Sequence, residues 1–466
     1  MSLHRTELLG LPATCRCVSL RNLETKELVQ PKSCESSGQL FSVDVLPHQT
    51  IVLLVGCVSV NQLEDDGAVP AVYDAGAVLR IKTDEVGMSA SPTVLFPRGS
   101  TVANITFEGF RIPAIVRLKN GLLYASAEAR YGQLGAQKFP SSLVSRLSLD
   151  AAGTQWGPLR MVQASPNVNF GNALPIADLV TGELFLFYCY DNLFLFVQST
   201  KDGGASWTKR RNVTTALKPA SGHAPKGTRV PLWIGAGPSA GVQLPSSGRL
   251  LGAVNSKVDG VDSEWLLISD DHGASWRRSA FVPGGTSTGL GEASIALMGG
   301  SASQELAMLI RASNRDHSSR PVHHFASTST NGGDSWAAAT PAMTNSPSCA
   351  DSIIAVHNGS VLLGVAPFGT VRQNLTLWQA KQGEGVAVWE VERTLYPHCA
   401  AYSSMAHASG AGGEEAGVVI LFEGVFDAPG FDCAKAGSGS YSVALMNFVV
   451  AGAAPGGARG QASTAS

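Results

Sequence analysis

Thr200-Lys201-Asp202-Gly203-Gly204-Ala205-Ser206-Trp207 is a phrase that this chain repeats. It returns as Ser269-Asp270-Asp271-His272-Gly273-Ala274-Ser275-Trp276 and as Ser329-Thr330-Asn331-Gly332-Gly333-Asp334-Ser335-Trp336. The shared pattern is Ser/Thr-x-Asp/Asn-x-Gly-x-Ser-Trp. A degenerate relative with one extra residue covers Ser148 to Trp156, and a fainter trace ends at Trp389. The tryptophans fall 51 to 69 residues apart, and recurrence at such a period points to a solenoid or a propeller. The phrase has a physical logic. Asp202, Asp271 and Asn331 can accept hydrogen bonds from backbone N–H groups just ahead and close a turn. The fifth-position glycine allows positive φ. Trp207, Trp276 and Trp336 each supply an apolar wedge that locks the turn onto a sheet.

Working outward, residues 92–450 read as short apolar, β-branched or aromatic runs between Gly/Asn/Asp/Ser turns. Examples are Leu184-Phe-Leu-Phe-Tyr188, Leu193-Phe-Leu-Phe-Val197, Trp265-Leu-Leu-Ile268 and Val418-Val-Ile-Leu-Phe422. No long amphipathic helical period appears. The expected fold is all-β, a six-bladed propeller whose blades would each take roughly 60 residues. Residues 1–66 read as a separate small β unit, sandwich-like, with strands at 41–45 and 51–55 around Pro47. Residues 67–91 make a linker and 451–466 a disordered tail.

Composition narrows the function classes. Of 466 residues only 15% are charged and the net charge is −2, so no basic stripe suggests nucleic acid. No apolar run approaches the roughly 18 residues that cross a membrane. The eight cysteines include Cys15, Cys17, Cys34 and Cys57, close enough for two disulfides in an oxidising compartment. Sequons begin at Asn104, Asn212, Asn358 and Asn374 and point the same way, whereas Met1-Ser-Leu-His-Arg-Thr-Glu is no signal peptide. Localisation stays open between a secretory or lysosomal route and the cytoplasm. His323-His324 lacks metal-ligand spacing, and no metal or cofactor is expected. His272 should be exposed in its turn, and His398 and His407 flank the Tyr402 segment at a pocket rim.

The repeated phrase resembles the Asp box (BNR repeat) of the exo-α-sialidase (neuraminidase) family, where the boxes are structural and lie away from the catalytic face. The resemblance continues in family order. Phe110-Arg111-Ile112-Pro113 matches the family's Phe/Tyr-Arg-Ile-Pro motif, and Gly237-Pro-Ser-Ala-Gly-Val-Gln243-Leu is similar to its Gly-Pro-x-x-Gly-x-Gln-Leu strand. Gly291-Glu292-Ala-Ser, Leu309-Ile-Arg311, Arg372-Gln-Asn-Leu, Ala401-Tyr402-Ser-Ser and Leu421-Phe-Glu423 resemble further site segments. By this resemblance Arg111, Arg311 and Arg372 bind a sialic acid carboxylate, Arg130 lines the sugar pocket, Glu423 compensates Arg111, and Glu292 activates Tyr402 as nucleophile. The implied activity is retaining hydrolysis of terminal α-linked sialic acids, with sialylated glycoproteins, glycolipids or oligosaccharides as partners. The residue types suit it: guanidinium groups grip carboxylates with charge-assisted, often bidentate bonds. A neutral tyrosine approaches an anomeric centre that already bears a negative group more readily than Asp or Glu does, and sialidases use one.

One departure matters. The family places an aspartate, its general acid/base, shortly after an arginine in a segment like Ala127-Glu128-Ala129-Arg130. Here Gly135 or Ala136 stands there, and no acidic residue occurs between Arg130 and Asp150. A slow hydrolase, a sialic-acid-binding lectin-like relic and a misread exon all fit that stretch. A trans-sialidase is a further reading.

Overall fold

A computed structural model describes residues 2–4, 17–22, 28–29, 39–42, 53–58, 92–131, 140–164, 167–217, 233–258, 261–284, 289–300, 302–312, 324–343, 345–380, 386, 388–409, 415–428, 430–437 and 439–448. The chain divides into two compact units, 1–88 and 89–466. In the first, β1 (Ser2–His4) pairs with β4 (Gln39–Ser42), and β2 (Cys17–Asn22) lies between β3 (Leu28–Val29) and β5 (Leu53–Val58). Two of these strands overlap the expected 41–45 and 51–55. Pairing among the first four cysteines, the linker and the tail lie outside what is described.

The second unit is built from antiparallel sheets whose strands follow chain order. It begins with β6 (Thr93–Phe96) and a small hairpin of β7 (Thr101–Val102) and β8 (Ile105–Thr106). Sheet one is β9 (Gly109–Arg117), β10 (Leu123–Arg130), β11 (Ser141–Leu147) and β12 (Arg160–Gln163). Sheet two is β13 (Phe170–Ala177), β14 (Leu184–Tyr190), β15 (Phe194–Thr200) and β16 (Arg211–Asn212). Sheet three holds β17 (Ile234–Ala236) and β18 (Val242–Gln243), both on β19 (Leu250–Val258), then β20 (Val261–Ser269) and β21 (Arg277–Arg278). Sheet four is β22 (Leu290–Leu297), β23 (Leu306–Ala312), β24 (His324–Ser329) and β25 (Thr340–Pro341). These four are propeller-like blades. A longer, curled seven-stranded sheet follows. It runs β26 (Ser352–Val356), β27 (Val361–Pro367), β28 (Gln373–Ala380), β29 (Trp389–Ser409), β30 (Glu415–Gly424) and β31 (Ser442–Phe448), and ends on β6.

The middle strands carry continuous apolar runs because neighbouring sheets cover both faces. Tyr124, Leu143, Leu186 and Tyr188 fill the space between sheets one and two, and Phe187, Val254, Trp265 and Leu267 that between two and three. Leu251, Leu266, Ile310 and Trp336 join three to four, and Leu309, Ile353, Trp378 and Trp389 join four to the long sheet. Phe96, Phe110, Ile115, Leu421 and Leu445 join the long sheet back to sheet one, which closes the ring.

The repeated phrases are turns between third and fourth strands, and each clamps the preceding sheet. Asp202 accepts from Ser206 N at 2.9 Å, Asp271 from Ser275 N at 2.9 Å and Asn331 from Ser335 N at 3.1 Å. Gly204, Gly273 and Gly333 have φ of 88°, 84° and 85°. A Cβ added at them would meet Tyr124 of sheet one, Phe185 of sheet two and Leu266 of sheet three within about 3 Å. The degenerate copy closes the same way, with Asp150 accepting from Thr154 N at 2.9 Å. Its first residue, Ser148, accepts from Leu123 N, at the Arg117 end of β9. The other end of β9 carries Arg111, so the turns and that arginine lie at opposite ends of the sheet.

Candidate functional site

Six residues singled out from the sequence meet at one end of the inner strands, each at or beside a break in strand register. The β9–β10 register slips between Ser126 and Glu128, facing Arg111-Ile112, and Ile112 has φ of 56°. The β22–β23 register slips between Leu290 and Ala293, which brackets Glu292. The β29–β30 register slips between Ala400 and Ser403, which brackets Tyr402. A slip also follows Gln373, the neighbour of Arg372. Bulges re-aim side chains in this way and gather next to active sites.

Tyr402 is the hub. Its hydroxyl donates to Glu292 Oε2 at 2.7 Å and accepts from Arg311 Nη1 at 2.5 Å. Arg311 Nη1 also donates to Glu292 Oε2. The guanidinium carbons of Arg111 and Arg372 each lie 5.2 Å from the Tyr402 ring centroid, and that of Arg311 lies 5.9 Å away. Arg111 donates through Nε and Nη2 to Glu423 Oε2 at 3.1 and 2.9 Å, while Ile112 N donates to Glu423 Oε1 at 2.6 Å. Glu423 thus uses both oxygens, which its complete burial within an apolar strand demands. Arg311 Nε donates to Ser348 Oγ at 2.8 Å, and Arg372 Nη2 to Ser348 O at 2.9 Å.

The charges are uneven. Besides the buried His324–Asp351 pair, whose opposite charges offset, three guanidinium groups face two carboxylates, Glu292 and Glu423, and Arg372 donates to a carbonyl rather than to an anion. Burial lowers the pKa of Arg111, but Glu423 and Tyr402 outweigh it and leave Arg111 more firmly charged than usual. Arg311 stays charged for the same reason, through Tyr402 and Glu292. Burial pushes the Tyr402 phenol well above its ordinary value, although Arg311 and Arg372 pull the other way. It is a neutral phenol until a base takes its proton. The arrangement can grip one anion and deprotonate one hydroxyl beside it.

Arg130 lies on β10, two residues from Glu128, which stands opposite Arg111. It is paired with Glu128, whose other oxygen accepts from Asn172 N at 2.8 Å. Glu128 is buried at the junction of sheets one and two, where only a glycine fits at 171: a Cβ there would lie 2.3 Å from Glu128 Oε1. The segment after Tyr131 that lacks the family's aspartate, residues 132–139, lies outside the described residues. His272 is part-exposed and its Nδ1 meets Asp178 Oδ2 at 2.9 Å. His398 packs on Tyr396. His407 was expected at the pocket rim with Tyr402; instead it lines a cavity of about 340 Å³ with Arg117 and Met405, towards the far end of the inner strands. It lies five positions along β29 from Tyr402, which carries it along the strand away from that residue.

Three features escaped the sequence. Tyr441 is buried and takes Arg111 over its ring at 5.3 Å. Ser348 holds two arginines. Cys399 and Cys433 form a disulfide beside the Tyr402 segment, while Cys189 and Cys349 are buried thiols. Among the described residues no group of three or more His, Cys, Asp or Glu is placed to hold a metal, and no helix is long and apolar enough to cross a membrane.

A ring of blade-like sheets with box turns at one end and clustered arginines at the other defines a class. The model of the BNR repeat-like domain matches residues 141–414, more than half of the chain, and the chain belongs to that family. Its relatives bear out the resemblance drawn from the sequence. Sialidase-4 of Homo sapiens is 28% identical over 229 residues, which are 42% of this chain and 44% of that protein. The chain therefore matches less than half the length of that curated relative. Among solved structures, the intramolecular trans-sialidase from Ruminococcus gnavus has a TM-score of 0.57 at 15% identity and covers 77% of this chain and 97% of its own. The Trypanosoma rangeli sialidase gives 0.54 at 17% identity, over 77% and 59%. The NanB sialidase from Streptococcus pneumoniae gives 0.57 at 14%, over 78% and 71%. These structural likenesses establish the fold.

Proposed function

We propose that the chain is a retaining exo-α-sialidase that releases terminal sialic acids from glycoproteins, glycolipids or oligosaccharides. The observation that carries this is the convergence of Arg111, Arg311 and Arg372 around a tyrosine bonded to a glutamate. Three cations against two carboxylates leave room for one more negative charge, which suits the single carboxylate of a sialoside. Glu292 takes the Tyr402 proton as the phenol oxygen attacks the anomeric carbon, and the bond to the leaving oxygen breaks, that oxygen taking a proton from solvent. Water then attacks the sialyl-tyrosine and gives one proton to solvent, the bond to Tyr402 breaks with retention, and Glu292 returns its proton to the Tyr402 oxygen. Arg130, held by Glu128, lines the sugar side. The fold that holds this site is a six-bladed propeller, in which the seven-stranded sheet is two blades sharing β29. Residues 389–399 of that strand pair with β28, and residues 400–409 pair with β30.

A second reading rests on one observation: from Tyr131 to Leu149 the sequence has no Asp or Glu. Without an acid the leaving oxygen departs unprotonated, a loss of about 10²–10⁴-fold, and the chain becomes a sialic-acid-binding lectin-like protein. Transfer to another glycan is the third outcome. Purified protein should release methylumbelliferone from its α-sialoside, and Tyr402→Phe should abolish release. A natural sialyl-lactose assayed beside it separates the readings. Cleavage of both substrates establishes the hydrolase, cleavage of the activated one alone establishes the missing acid, and binding without cleavage establishes the lectin. Sialyl-galactose linkages formed on added lactose mark transfer.

A further inference from the structure

Ser348 holds two of the three arginines, through a rotatable hydroxyl and a carbonyl. Such contacts aim a guanidinium only as well as the backbone beneath them is fixed. That backbone, 348–351, joins several elements. Ser348 Oγ donates to Ala312 O at 3.1 Å, and Ala350 O accepts from Ser403 N at 3.3 Å, next to Tyr402. Below it lies a buried pair that the chemistry above does not use. His324 Nε2 donates to Cys349 O at 3.1 Å, and the same nitrogen lies 2.5 Å from Asp351 Oδ2. Both side chains are 1% exposed. His324 on β24 stands directly opposite Arg311 on β23, so the two leave the same face of the sheet.

Resting on the sialoside reading above, we propose that His324 and Asp351 are a positioning pair that pins residues 348–351 so that Arg311 and Arg372 aim at the ligand carboxylate. A buried ion pair is poor evidence of stability, and its best-attested use is to fix one arrangement among several. Here the arrangement fixed is the hydroxyl and carbonyl of Ser348. The groups that face the pair are Arg311 from β23, Arg372 ahead of β28 and the Cys349 thiol ahead of β26. Burial opposes the imidazolium, but Asp351 and the Cys349 carbonyl outweigh it and hold the His324 pKa above its ordinary value. A raised histidine pKa gives a contribution that is full below the ordinary value and is lost as pH rises through the folded one.

The test compares binding of 2,3-unsaturated N-acetylneuraminic acid and of its methyl ester to the full chain by calorimetry. In Asp351→Asn the preference for acid over ester should fall about tenfold, roughly 1.4 kcal/mol, while ester affinity moves little. A merely structural lesion lowers the number of sites and leaves this ratio alone. His324→Gln keeps an N–H for the Cys349 carbonyl and should lose less. Should Asp351→Asn not fold, the unaltered chain decides: its acid preference should weaken as pH is raised above the ordinary histidine value near 6.5 and His324 discharges. An unchanged ratio in both variants, or a flat pH series, overturns the pairing role while leaving the sialoside reading intact. An unaltered chain that binds neither ligand overturns the sialoside reading, and this inference with it.

Discussion

Glu423 decides where Arg111 points. One oxygen takes the arginine fork and the other takes the N–H of Ile112, so a single buried carboxylate holds both the Arg111 guanidinium and the bend that presents it. Ile112 is the strained member. A β-branched residue at φ of 56° is a genuine outlier, costing about 1–3 kcal/mol. Its side chain is recovered in an apolar cluster with Tyr402, Cys399 and Tyr441. Glu423→Gln keeps the shape but leaves Arg111 without its countercharge. Removing one partner of a buried pair should destabilise the fold by about 3–5 kcal/mol in urea unfolding. Affinity for a sialoside carboxylate should fall at least tenfold, about 1.4 kcal/mol, in the same variant. A stable variant that binds as tightly would show that the Ile112 bend holds itself.

At the scale of the element, the box turns and the bulges behave differently, and the difference explains what the sequence made legible. A box is self-contained: its Asp or Asn, its glycine and its serine bond one another within eight residues, so the pattern is visible in a row of letters. The bulges that aim Glu292 and Tyr402 leave no comparable mark, because a slip in register is a property of two strands. Ser348 and Tyr441 were missed for the same reason; their partners Arg311 and Arg111 are remote in sequence and the residues themselves are common. The site arginines were legible only through flanking family motifs. The join within the long sheet was hidden because β29 runs 21 residues and Pro397, just before its partner changes, does not break the strand. The box glycines give a direct test. At Gly273 φ is 84° and an added Cβ would lie 2.0 Å from Phe185 Cζ, whereas at Gly99 φ is 80° and nothing lies within 4 Å. Gly99→Ala should cost about 1 kcal/mol of backbone strain. Gly273→Ala should add about 1–3 kcal/mol of overpacking to that. Thermal melts of the two variants side by side measure the excess, and equal melts would mean that the box does not clamp sheet two.

Across the whole second unit, stability depends on joints between sheets. Arg249 and Arg277 bridge Asp270 of one box turn and Asp334 of the next, an exposed network that salt should weaken. Asp178, in the turn after β13, ties sheet two to sheet three more firmly. Its fully buried carboxylate takes Gln243 Nε2 at 2.9 Å and His272 Nδ1 at 2.9 Å besides Thr181 and Val180 of its own turn. Burial raises its pKa, but the bonds from Gln243 and Thr181 prevail and hold it at about 2. A depressed carboxyl stabilises above its unfolded value near 3.8 and loses that as pH falls towards about 2. The joint should therefore contribute about 2 kcal/mol at neutral pH. In Asp178→Asn the acid limb of the stability curve between about pH 4 and 2 should flatten by that amount; a limb as steep as before would place the acid sensitivity elsewhere. The last joint closes the ring. β6 pairs with β31 through Phe96 with Val443 and Val94 with Ala444, and Phe96 is fully buried against Phe110 at 6.0 Å between ring centroids. Sheet one also meets the last strands directly, through Phe110 N to Tyr441 O at 2.9 Å and Arg111 to Glu423, but β6 covers the outer edge of β31, so damage here exposes a strand edge. Phe96→Ala should cost about 3–5 kcal/mol. If the ring is one cooperative unit, that cost should appear as one shifted transition in both tryptophan fluorescence and far-ultraviolet circular dichroism. Two separate transitions would show instead that the sheets unfold one by one and that β6 closes nothing.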